Sequence, residues 1–259
     1  MTSQVPKKPN WLLLIGLAIA SICVLSALGV AGAIYYFRYI ANPNPLPSVE
    51  SSTPGTEMIL MEIDRSIENG KTVVLYEMKT SGIDPQKGLT LNYYPVGSSE
   101  GSSPVEVDID TTGQVMQLNS NSPFVASMYE FAKGQPFLFG LISSDKQIQV
   151  FAKEVPFPIV ASGENSCQIS VELTDLSGTA FMIQGEGFIP QEILNYTSNS
   201  EGEIHNNTIK LDENGKFRLF MFPAVIGKLS GMNKIRFVGQ HCETTVEYEW
   251  GPPAIENKQ

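Results

Sequence analysis

Residues 187–202 read GFIPQEILNYTSNSEG, and residues 82–101 read GIDPQKGLTLNYYPVGSSEG. Both stretches carry the same landmarks in the same order. Gly82 and Gly187, Pro85 and Pro190, and Gln86 and Gln191 each stand 105 residues apart. Leu91-Asn92-Tyr93 answers Leu194-Asn195-Tyr196, Ser99-Glu100-Gly101 answers Ser200-Glu201-Gly202, and Asp110-Thr111-Thr112-Gly113 answers Asp212-Glu213-Asn214-Gly215. A Gly-x-x-Pro element ahead of a strand reads as a turn, because glycine admits positive φ and proline fixes the next corner. The Asp-x-x-Gly element reads as a hairpin turn, with aspartate accepting from the local backbone and glycine in the left-handed position. A duplicated set of turns predicts a duplicated domain.

Between the turns lie short runs rich in Val, Ile, Phe, Tyr and Thr, bounded by Gly, Pro, Asn and Asp, which is the pattern of strands. The first series is expected near 58–63, 72–78, 89–94, 105–109, 115–118, 137–142 and 148–152, with one short helical turn at 125–131. The second is expected near 168–173, 180–184, 193–197, 208–211, 217–222, 235–238 and 244–250. Seven short strands in about 95 residues suit one β-sandwich, so the fold class is all-β, with tandem sandwiches at 57–153 and 161–252. Between them EVPFPIV, residues 154–160, reads as a short stiff hinge, and 253–259 as a tail.

Upstream, residues 38–56 include ANPNPLPSVESSTPGT, which holds four prolines and little that packs. Proline sets φ and removes a donor, so an extended stalk is expected. Before it, no residue from Pro9 to Phe37 is charged, and 11–34 is almost wholly apolar. Twenty-four helical residues make roughly 36 Å, enough for a hydrocarbon core of about 30 Å. Trp11 at one end, and Ile34, Tyr35 and Tyr36 at the other, suit the two interfaces. A membrane anchor over 11–37 is therefore expected. A cleaved signal peptide competes, with Ala31-Gly32-Ala33 as its small-x-small site, but the apolar stretch exceeds a secretory h-region. Lys7 and Lys8 outweigh Arg38, which places residues 1–10 in the cytoplasm and the body outside, periplasmic or extracellular.

From Glu50 onward the chain holds 27 acidic and 14 basic residues, a net charge of −13. A phosphate backbone is held by lysine and arginine, so this body is no nucleic-acid binder. Cys23 falls in the span, which leaves Cys167 and Cys242 as the pair in the exported portion, and an oxidising compartment makes their bonding the default. Alternating strands put both cysteines at one end of the second sandwich.

The series GFIPQEILNYTSNSEGE, LDENGKFRLFMFP and GQHCETTVEYEWGPPA resembles the immunoglobulin-like domains of bacterial membrane-anchored and exported proteins, which carry such a turn before a strand and an aspartate–glycine hairpin after it. Gly187-Phe188-Ile189-Pro190-Gln191-Glu192 matches best. The first copy departs, with Ile83-Asp84 for Phe188-Ile189 and Lys87 for Glu192. The resemblance implies a fold class and brings no catalytic residues.

Other constellations carry less. Gly97-Ser98-Ser99-Glu100-Gly101 matches the nucleophile-elbow pattern, yet that motif needs a strand-to-helix turn and a histidine partner, and His205 and His241 belong to the other domain. His241-Cys242 falls short of the ligands zinc wants. The carboxylates Asp108 and Asp110, Glu201 and Glu203, and Asp212 and Glu213 match no defined calcium loop. Asn195-Tyr196-Thr197 and Asn206-Asn207-Thr208 are glycosylation sequons. Residues 217–223, FRLFMFP, are partly apolar on both faces, which reads as a central strand or a domain–domain surface, with a partner site as the alternative. No catalytic residue, cofactor or metal is expected. The reading is an anchored binding protein with an extracytoplasmic protein partner; carbohydrate binding or an accessory role in an envelope or secretion complex is the alternative.

Overall fold

The computed structural model describes residues 49–85, 88–96 and 102–259. The expected cytoplasmic segment, the anchor with Trp11, Ile34, Tyr35 and Tyr36, most of the stalk, and the loop 97–101 lie outside the described residues. Among those described, no helix is long and apolar enough to cross a membrane.

Strands form where apolar and polar residues alternate. Glu243–Trp250 (β16) shows the rule plainly: Thr244, Val246, Tyr248 and Trp250 point inward, while Glu243, Thr245, Glu247 and Glu249 face water. In the first half the strands are β1 (Glu57–Glu68), β2 (Lys71–Ser81), β3 (Leu89–Pro95), β4 (Ser102–Ile109), β5 (Val115–Gln117), β6 (Val125–Tyr129), β7 (Phe137–Ile142) and β8 (Gln149–Glu154). In the second they are β9 (Ile159–Ser162), β10 (Gln168–Leu173), β11 (Phe181–Glu186), β12 (Ile193–Ser200), β13 (Glu203–Lys210), β14 (Phe217–Met221), β15 (Gly231–Val238) and β16, followed by a short helix α1 (Pro252–Glu256).

Among the described residues all pairings are antiparallel and make four sheets: β1-β2-β6, β5-β4-β3-β7-β8, β14-β11-β10-β9 and β13-β12-β15-β16. The two halves share one topology. Once the short β5 and β9 are set aside, each places its first, second and fifth strands in one sheet and its fourth, third, sixth and seventh in the other. The sequence duplication is therefore a duplication of architecture.

Each half closes on its own core. In the first, Val74, Tyr76 and Met78 of β2 meet Leu89, Leu91, Phe137, Phe139 and Leu141 of the facing sheet. In the second, Ile169, Val171, Phe181 and Ile183 meet Leu194, Ile235, Phe237, Val246, Tyr248 and Trp250. Burying one such side chain contributes about 1.5–3 kcal/mol. A polar chain crosses the second core, where Ser198 donates to Asn233 at 2.9 Å and Asn233 Nδ2 donates to the Tyr248 hydroxyl at 2.8 Å.

Burial in the first core, helped by the carboxylates of Glu154 and Glu62, pushes the Tyr76 phenol up to about 12. A tyrosine titrates near 10 in an unfolded chain, so the stability this group contributes is whole below pH 10 and drains away as pH rises through 12. Tyrosinate absorbance should therefore show a late-titrating phenol, and Tyr76→Phe should remove that step together with part of the alkaline loss of stability.

The structure corrects the sequence reading in several places. Residues 125–129 are strand β6, not a helical turn: Ala126 and Met128 face the core while Val125, Ser127 and Tyr129 face out, and β6 pairs with β2. Ile159–Ser162 forms an additional strand on β10. The last residues of the expected stalk are joined to the body: Thr53 N donates to the Gln149 carbonyl at 2.7 Å, and Phe151 N donates to Ser52 Oγ at 3.0 Å.

The repeated turns are crossovers. Gly82 and Pro85 carry the chain from β2 to β3, and Gly187 and Pro190 carry it from β11 to β12, in each case from one sheet to the facing one. Both glycines have positive φ, 70° and 79°. In the first half the Asp-x-x-Gly element is the expected hairpin, joining the paired strands β4 and β5. In the second it links β13 to β14, which lie in different sheets, so it is an arch. The carboxylate does the same work in both. Asp110 accepts from Thr112 N at 2.8 Å and Gln114 N at 2.9 Å, and Asp212 accepts from Asn214 N and Lys216 N, each at 2.8 Å.

Gly113 and Gly215 close these turns at φ 83° and 71°. A Cβ on Gly113 would run into the Thr80 carbonyl, and one on Gly215 into the Phe188 carbonyl. Alanine at either position should cost roughly 1–3 kcal/mol of backbone strain with the carbonyl clash in addition. Gly70→Ala, at φ 80° with nothing within 4 Å, should show the strain alone. Urea denaturation of the three variants separates the two costs.

Candidate interaction surface

Cys167, just ahead of β10, and Cys242, just ahead of β16, form the expected disulfide, with Cα atoms 6.3 Å apart across 75 residues. Both cysteines are buried. The strand β9 approaches them through Gly163, where a Cβ would fall 2.6 Å from one sulfur and 2.8 Å from the other. The bridge thus pins three segments at one end of the sandwich.

Glu192 stands out more in the structure than in the sequence. Its carboxylate is buried, accepting from Ile189 N at 3.1 Å and from Gln240 N at 2.9 Å. It ties the β11–β12 crossover to the β15–β16 turn. The signal was its place in the Gly-x-x-Pro-x-Glu turn, but only the fold brings Gln240 to it.

The acidic pairs are engaged locally. Asp108 is buried and accepts from Gly88 N at 3.1 Å, and Asp110 and Asp212 are held by their own turns. Glu201 accepts from Lys228 Nζ and Met232 N, both at 2.8 Å. The Lys228 ammonium, then the Met232 amide, hold its carboxyl below the ordinary carboxylate range. Among the described residues no group of three or more His, Cys, Asp or Glu is arranged to hold a metal ion. His205 lies exposed on β13 with Nε2 3.9 Å from Glu203, and His241 is exposed in the turn beside the disulfide.

Residues 153–160 are bound on both sides. Phe157 packs on the first core and Ile159 on the second. Gly134 N donates to the Phe157 carbonyl at 2.7 Å, and the Gly134 carbonyl accepts from Leu173 N at 2.8 Å. Arg65 donates to the Pro156 carbonyl at 3.0 Å with its guanidinium 5.0 Å above the Phe157 ring. Lys153 reaches both oxygens of Glu172 at 2.7 and 2.8 Å. The expected tail is part of this junction: Lys258 bridges Ala132, and Gln259 N donates to the Phe131 carbonyl at 3.0 Å. From Val49 to Gln259 the described residues form one compact unit.

Two outer faces contrast. On β15 and β16, Arg236 binds Glu243 through two hydrogen bonds of 2.7 Å and Lys234 pairs with Glu247 at 2.6 Å. These charges guard the β16 edge against pairing with another sheet. Both sequons lie on the neighbouring strands β12 and β13, with Asn195 and Asn206 exposed. On the other sheet, β14 is an edge strand rather than a central one. Phe217 is buried, but Phe220 and Phe222 are 60% and 65% exposed, and in the following loop Ile226 and Leu229 are 99% and 89% exposed. Solitary exposed apolar residues are ordinary, whereas these four fall within ten positions of one edge strand and its following loop. Arg218, on the same face of β14, reaches Glu50 at 3.6 Å.

No protein-family model matches the sequence, and no curated protein does. Among solved structures, one match is to a tetra-tandem repeat in the extending region of a large adhesion protein, at 10% identity and a TM-score of 0.25. It covers 76% of this chain and 49% of that one, so this chain spans about half the length of the protein it matches. At that level of superposition the likeness decides neither fold nor role.

Proposed function

We propose that the chain is a single-pass, membrane-tethered binding protein whose two tandem immunoglobulin-like sandwiches stand outside the cytoplasm and recognise a protein partner without catalysing a reaction. The observation that carries this reading is the buried Cys167–Cys242 disulfide in a body of net charge −13. Such bridges persist in oxidising compartments, and such a charge repels nucleic acid. The bound junction supports the role, because sandwiches that hold one arrangement present a composite surface with little ordering cost on binding.

Cross-linking in intact cells expressing the full-length chain, followed by pull-down through a C-terminal tag and mass spectrometry, tests the proposal. One stoichiometric extracytoplasmic partner supports it. Absence of a partner with folded, membrane-bound protein overturns constitutive assembly. The exposed Phe220 and Phe222 favour one second reading, carbohydrate binding, which a glycan array addresses.

A further inference from the structure

We propose that Phe220, Phe222, Ile226 and Leu229 form a membrane-docking patch that inserts into the outer surface of the bilayer in which the same chain is anchored. The inference rests on the tethered reading above. It also stands on two features of the body: where the chain reaches the folded unit, and what lies beside that point.

The polypeptide joins the body through a short turn, Val49–Ser51, and there Glu50 pairs with Arg218 of β14. Alternate residues of a strand share a face, so Arg218 and Phe220 point the same way about 6.6 Å apart, and Phe222 follows directly after the strand's last residue, Met221. Glu50, at the start of the described residues, thus lies on the flank that carries the patch. The twelve residues from Arg38 to Val49 span at most roughly 40 Å when extended. A patch that begins within two strand residues of Glu50's contact is therefore within reach of the lipid surface.

The chemistry selects lipid. Ile226 and Leu229 occupy a loop whose base is fixed by buried Val225, by the Ser200 hydroxyl donating to the Pro223 carbonyl and by the Lys228–Glu201 pair. Their side chains therefore extend into water from a held backbone. The nearby cations Arg218 and Lys228 each have an acidic partner, so the patch offers apolar contact and little net charge. Apolar burial at the headgroup boundary drives such binding, and tethering makes a weak insertion effectively intramolecular. Docking should therefore persist on zwitterionic lipid and at high salt.

The test uses the full-length chain reconstituted in phosphatidylcholine vesicles, with bromine on the acyl chains as a fluorescence quencher. In the unmodified chain, quenching of Trp11 reports the anchor. In a Trp11→Phe background, Ile226→Trp reports the patch, Thr245→Trp reports the opposite sheet face, and Trp250 is a buried baseline. The expected result is quenching of the Ile226→Trp chain at least threefold that of the Thr245→Trp chain, reduced by adding Phe222→Ser and Leu229→Ser. Quenching of Trp11 without quenching at 226 overturns the patch and leaves the anchor standing. An unquenched Trp11 overturns the tethered reading and this proposal with it. Emission at 226 that ignores bromine but shifts to the blue as protein density in the vesicle rises assigns the patch to a second copy and overturns lipid docking.

Discussion

Replacing Cys167 and Cys242 together by alanine is expected to destabilise the second sandwich by about 4 kcal/mol. The bridge closes a loop of 75 residues that contains every strand from β10 to β15, so its loss frees the denatured chain to explore far more conformations. A lost packing contribution adds to this, because both sulfurs are buried and the Gly163 backbone rests on them. Urea denaturation followed by Trp250 emission measures the effect, since Trp250 lies in that core. Reductant should lower the midpoint of the unmodified chain by a similar amount and leave the double variant unmoved. An unchanged midpoint on reduction would mean that the strand network holds this sandwich without the bridge.

Phe137→Ala should cost the first sandwich about 3–5 kcal/mol, in the range for removing a large aromatic side chain from a packed core. Phe137 is fully buried at the start of β7. Its ring lies 5.6 Å from Tyr76, 5.5 Å from Phe131 and 5.5 Å from Phe139, and edge-to-face pairs add about 0.5–1.5 kcal/mol beyond area. Phe137→Leu, which keeps most of the apolar volume, should cost less than half as much. The cavity should also reach the junction. Phe131 packs on Phe137, and its carbonyl holds Gln259 N. Amide hydrogen exchange at the C-terminus should therefore quicken in the alanine variant, whereas a purely local cavity would leave it unchanged.

Most of the strand content was legible because a half-buried strand shows an alternation that needs no partner to be seen, as in β16. The turns were legible for a similar reason: the Asp110 and Asp212 carboxylates bond backbone two and four residues away, an interaction contained within the turn itself. Residues 125–129 were not, because in so short a run the apolar spacing of Val125, Met128 and Phe131 mimics a helical face, and only pairing with β2 selects the strand. The β14 face misled in the opposite direction. Its apolar residues on both sides read as a central strand, and the topology leaves it at an edge with Phe220 and Phe222 in water.

The sequence by itself determined that the body is β-rich, that its architecture repeats, that its charge is acidic and that one cysteine pair is available to bridge. Each of these follows from composition or from contacts within a few residues. Tertiary structure decided which edge carries the exposed apolar patch, how Glu192 locks the crossover to the turn at Gln240, and that residues 153–160 and the C-terminus bind the sandwiches together. Those outcomes depend on groups far apart in the chain, and their closeness is set by the folded arrangement rather than by local pattern.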